Sequence, residues 1–137
     1  MSDGSDIIFA VYSAFPGLTA LVPVDRIIND DALPKGIVLP ALQLEIISEF
    51  DSNIANPGED VFCRHRVRTR IHANTASERS LVRRQVRRAL FANQRATVPD
   101  FSNVTIHTDG GGPTGLAPGS NVRVGLQDAI VTFSQER

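Results

Sequence analysis

The sequence predicts an α+β fold: an antiparallel or mixed sheet of four to five strands with two α-helices packed on one face. Three observations carry this expectation. Two segments space their apolar residues at helical intervals, near residues 7–15 and 81–90. Two others, 41–51 and 61–73, alternate apolar and polar residues as half-buried strands do. The order of these elements, with no internal repeat, fits one domain over residues 1–137.

The first helix is expected from Ile7, Ile8, Val11, Tyr12 and Phe15, which share one face. Ser5 or Asp6 can cap its start, and Pro16-Gly17 stops it. A short turn through "LTALV" follows, then a brief strand at 26–29 and an extended loop interrupted by Pro34 and Pro40. In "ALQLEIISEFD", Leu42, Leu44, Ile46 and Phe50 fall on one face, and Gln43, Glu45, Glu49 and Asp51 on the other. The polar stretch 51–60 reads as a loop.

Next comes "VFCRHRVRTRIHA". Val61, Cys63, Val67, Ile71 and Ala73 form one row; Phe62, Arg64, Arg66, Arg68, Arg70 and His72 form the other. If 41–51 and 61–73 pair as a hairpin, the acidic and arginine rows share one side of the sheet. Thr75 and Glu78 have capping-box spacing at the start of the second helix. Its apolar arc is Leu81, Val82, Gln85, Val86, Ala89 and Leu90; the opposite arc is Arg83, Arg84, Arg87, Arg88 and Arg95, with Phe91 lying among the arginines. A weak strand at 104–108, a Gly/Pro-rich loop at 109–121 and a last strand at 123–134, with Gly125 a candidate bulge, complete the chain.

Net charge is −1, which conceals a division. Residues 61–95 hold ten arginines against one acid, Glu78, hence +9; the remainder holds four basic against fourteen acidic residues, hence −10. Such asymmetry attracts within a molecule, between copies, or toward a polyanion. Lys35 is the only lysine, and an arginine bias favours planar, bidentate pairing. The stretch "MSDGSDIIFAVYSAF" has acids where an export signal carries Lys or Arg, and no stretch reaches the ~20 apolar residues of a membrane span. A chain with the single Cys63 cannot form an internal disulfide, so a reducing cytoplasm is the expected place of synthesis.

No catalytic constellation is legible. "DGGGPTGLAPGSN" has the glycines of a phosphate loop but no Lys followed by Ser or Thr. His65 and His72 face opposite sides of their strand, and Cys63 with His65 makes only two ligands, so neither metal nor cofactor is expected. Cys63 sits in the apolar row, the place of a small buried hydrophobe. A basic-patch nucleic-acid-binding accessory protein is the alternative that the arginines keep open. Against it stand the missing helix-turn-helix, zinc finger and aromatic platform.

Several phrases together resemble the tail-completion or tail-terminator family of tailed bacteriophages and gene transfer particles. They are "IIFAVYSAFPGLTALV", "DRIIND", "LPALQLEII", "RHRVRTRIHANTASERSLVRRQVRRAL" and the closing "AIVTFS". The arginine richness and the glycine-rich 109–121 loop depart from the usual pattern. The resemblance implies a non-enzymatic virion protein of the tail or neck, assembled in the host cytoplasm without a membrane. It would form a hexameric ring that ends tail-tube polymerisation and meets the tail-tube protein, the head-completion or connector protein, and DNA passing through the lumen. A ring uses heterologous contacts, for which a divided charge is suited. The residues expected at subunit interfaces or the channel are Arg64, Arg66, Arg68, Arg70, Arg83, Arg84, Arg87, Arg88, Glu45, Glu49 and Phe91. Docking loops are expected at Asn56, Pro57 and Gly58, and at Gly110, Gly111, Gly112 and Pro113.

Overall fold

A computed structural model describes residues 3–30, 32–51, 60–111, 115–116 and 121–136. The fold is mixed α+β, as the patterning predicts. Helices α1 (Gly4–Ser13), α2 (Pro16–Thr19) and α3 (Ala76–Ala92) accompany strands β1 (Ile27–Ile28), β2 (Ala41–Asp51), β3 (Asp60–Ala73), β4 (Ser102–Thr108), β5 (Gly115–Leu116) and β6 (Arg123–Glu136). The sheet order is β1-β2-β3-β6-β4, with β5 also on β6; β1 runs parallel to β2 and the other pairs are antiparallel. The long β3 is thus central, flanked by β2 on one edge and β6 on the other.

The helices cover one face. α1 lies over β2 and β3, α3 over β3, β4 and β6, and the short α2 packs on α3. Between them lies the core, including Ile7, Ile8, Leu42, Ile71, Val86, Leu90 and Phe133. Full burial of each such side chain stabilises the fold by about 1.5–3 kcal/mol. Tyr12 is fully enclosed, its hydroxyl 2.7 Å from the Thr69 hydroxyl, and burial raises its pKa above the ordinary phenol value.

α1 starts two or three residues earlier than its apolar spacing suggests. Asp3, not Ser5 or Asp6, is the cap: its carboxylate accepts from the Ser5 N–H, and Asp6 accepts from the Asp3 N–H at 2.8 Å. The N-cap expected at Thr75 forms, its Oγ1 accepting from the Glu78 N–H at 3.1 Å, but the reciprocal half of the expected capping box does not: the Glu78 carboxylate reaches past the cap and accepts from the Asn74 N–H at 2.9 Å. Leu81, placed in the apolar arc by spacing, is exposed, while Val82, Val86, Ala89 and Leu90 are buried.

Two register details depart from expectation. β2 is bulged, so Ile46 faces Val67 but Ser48 faces Arg66, and Ile47 is the extra residue. A bulge reverses the alternation beyond it. Gly125, by contrast, is not a bulge, since β3 and β6 pair without interruption from Asp60↔Glu136 to Ala73↔Arg123. Its missing side chain instead leaves room for Arg79, whose stem would lie 3.2 Å from a Cβ there.

Candidate functional site

The sheet face away from the helices carries the arginine comb. Because cross-strand partners share a face, Arg70 sits beside Gln43 and Leu126, Arg68 beside Glu45 and Asp128, Arg66 beside Ser48 and Ile130, and Arg64 beside Phe50 and Thr132. Arg70 Nε donates to Glu45 at 2.6 Å. Arg68 donates to both oxygens of Asp128, at 2.9 and 3.2 Å, and Arg66 Nε adds a third bond at 3.1 Å. Arg66 also pairs with Asp109. Burial alone would raise the Asp128 pKa, but the hydrogen bonds and charges of Arg68 and Arg66 hold it below the usual carboxylate value. In return, Asp128 raises the Arg68 pKa.

Asp128 is the residue that reading β2 and β3 as a hairpin misses. The signal was a lone acid in the strand segment "LQDAI", in a chain with a strand of arginines. The expected pairing with Glu45 is present, but the expected placement of Glu49 on the arginine face is not. The bulge at Ile47 pairs Glu49 with His65 on the helix side and moves Phe50, expected in the apolar row, onto the arginine face. Phe50 is 61% exposed there. With Phe62, Arg64, Arg66, Ser48, Glu49 and Ile130 it lines a recess of about 500 Å³ at the open end of the sheet. Among the described residues, Arg64 has no ion pair.

Beyond β4, Asp109 and Gly110 continue the pairing with β6. The Asp109 N–H donates to the Asp128 carbonyl at 2.9 Å and the Asp128 N–H to the Gly110 carbonyl at 3.0 Å. The Gln127 amide also donates to Gly110, at 2.8 Å. Gly110 of the expected docking loop is therefore held against β6. Asn56, Pro57, Gly58, Gly112 and Pro113 lie outside the described residues.

On the opposite layer, α3 presents Arg84, Arg87, Arg88 and Phe91 to solvent. The Arg87 guanidinium lies 5.9 Å from the Phe91 ring centre. Arg83 differs from its neighbours: it is half-buried and leans against the Gly111 backbone. None of these four arginines has an ion pair among the described residues.

The histidines and the cysteine take the places expected of them. Cys63 is buried in the core row. His65 is buried, its Nδ1 accepting from the Gly4 N–H at 3.0 Å and its ring edge-on to Phe133. His72 lies on the arginine face, where burial and then Arg70 lower its pKa. Among the described residues no group of three His, Cys, Asp or Glu could hold a metal, and no helix is long and apolar enough to cross a membrane.

No protein-family model matches the sequence, and no curated protein does. The fold, however, is similar to that of a chain in the virion of a native gene transfer agent particle. The TM-score is 0.66 and the identity 11%, with 97% of this chain and 99% of that chain covered.

Proposed function

We propose that this protein is a structural component of a phage-like particle. It assembles as a ring, hexameric by family resemblance, on the head-proximal end of a tail tube. There it ends tube polymerisation and joins the tail to the head connector. The observation that carries this reading is the end-to-end likeness in fold to a virion chain, with 97% of this chain and 99% of that chain covered. The role asks for shaped surfaces rather than reacting groups.

The surfaces support it. A closed ring needs two different patches on each copy. Large apolar side chains are exposed on well-separated segments: Val38 before β2, Phe50 and Phe62 at the far end of β2 and β3, Leu116 in β5, and Leu81 and Phe91 on α3. The recess around Phe50 and Phe62, edged by Arg64, combines an aromatic anchor with a charge, the composition found at interface centres.

The test is assembly. Purified protein, alone and mixed with tail-tube subunits, is measured by light scattering and imaged for a closed ring with a central hole. The expected outcome is a ring that caps tubes and limits their growth. A chain that stays monomeric in the presence of tubes, and leaves their growth unchanged, would overturn the proposal.

A further inference from the structure

The arginines fall into two populations that sequence counting merges. Those of β3 are largely neutralised at home: Arg70 by Glu45, Arg68 by Asp128, and Arg66 by Asp128 and Asp109. Those of α3 are not. Arg84, Arg87 and Arg88 are exposed and, among the described residues, meet no carboxylate. Most of the segment's uncompensated positive charge therefore sits on one helix.

We infer that the exposed stripe of α3 binds the phosphate backbone of nucleic acid. Arg84, Arg87, Arg88 and Phe91 follow the i, i+3, i+4, i+7 spacing, so they form one continuous line along the helix. With Ser80 and Arg83 they enclose a shallow depression of about 360 Å³. Arg84 and Arg88 are like charges one turn apart, as are Arg83 and Arg87, an arrangement that costs an isolated helix about 0.2–0.5 kcal/mol per pair. A row of external anions removes that repulsion.

Nucleic acid fits this row better than a second copy of the chain. The described carboxylates near arginine or helix starts are already engaged: Asp3 and Asp6 at α1, Glu78 at α3, and Glu45, Asp109 and Asp128 with the comb. Exposed acids without an ion pair among the described residues include Asp25, Glu49 and Asp100, on three separate segments. They do not form a line to match the stripe. A duplex does, with one charge per ~1.7 Å of axis. Fixed guanidinium groups grip phosphate oxygens without reading bases, so the binding is indifferent to sequence.

The experiment is fluorescence anisotropy of a labelled 20-base-pair duplex with the full-length protein. Three phosphate contacts give a salt slope near −2.7, so affinity falls roughly 40-fold between 50 and 200 mM salt. Arg84→Ala/Arg87→Ala/Arg88→Ala abolishes binding at 50 mM with an unchanged circular dichroism spectrum, whereas Lys35→Ala, at an exposed cation away from α3, stays within about twofold of the parent. Should the triple variant misfold, Arg88→Gln alone lowers the salt slope by about one. No duplex binding at 50 mM salt, or equal losses from Lys35→Ala and the triple variant, overturns the inference. So does a triple variant that keeps duplex binding but loses self-association, which would assign the stripe to a neighbouring copy. The inference does not rest on the ring: protein that caps tubes but ignores duplex refutes only the stripe, and protein that binds duplex but never caps tubes refutes only the ring.

Discussion

Asp128→Asn tests the centre of the arginine face. The Asp128 side chain is 6% exposed and accepts three hydrogen bonds, from Arg66 Nε and from Arg68 Nε and Nη2. Hydrogen bonds to a charged partner contribute about 1.5–3 kcal/mol each when well enclosed, and breaking a fully buried pair costs about 3–5 kcal/mol. The two guanidinium groups are 33% and 27% exposed, so water replaces part of what is lost. Asparagine keeps the shape and one acceptor. The expected loss is about 2–3 kcal/mol, roughly 6–15 °C in Tm for a domain of this size. The assay is urea unfolding followed by circular dichroism at pH 7, repeated as pH is lowered.

The sign of the pH dependence follows from Asp128's lowered pKa. Its ion pairs contribute fully above the unfolded carboxylate pKa, near 3.9, and are lost as pH falls through the lower folded value. The parent should therefore lose stability below about pH 4, and Asp128→Asn should lose less over the same interval. A variant within about 0.5 kcal/mol of the parent at pH 7 would refute the view that Asp128 anchors the comb.

Two further outcomes follow from local geometry. Gly111→Ala places a Cβ 2.8 Å from the Leu126 carbonyl oxygen, which unlike the nearby Arg83 side chain cannot swing aside; a loss of about 1–3 kcal/mol in urea unfolding is expected. His72 has a pKa lowered by burial and by Arg70, so the folded state resists its protonation. Stability should decline as pH falls from about 6.5 toward the lower folded value, and His72→Gln should flatten that part of the profile when melting temperatures are compared across it.

Much of the fold was legible because its signals are local. The period of α3, with Val82, Val86, Ala89 and Leu90 inward, and its Thr75 cap depend only on neighbours within two turns. The alternation of β3 likewise placed Cys63 and Val67 inside and the arginines outside. Alternation cannot reveal a bulge, however, and one extra residue at Ile47 was enough to exchange the faces of Glu49 and Phe50. Nor does spacing along the chain say which strand takes the second edge of β3.

The candidate site divides along the same line. Its arginines, their rows and their helical stripe were determined by the amino-acid order, since periodicity alone assigns a side chain to a face. Which of them carry uncompensated charge was decided only in three dimensions. β6 returns from sixty residues away to set Asp128 between Arg66 and Arg68, while no described carboxylate pairs with Arg84, Arg87 or Arg88. Neutralisation requires contact within a few ångströms, and contact between distant segments is a property of strand order and register.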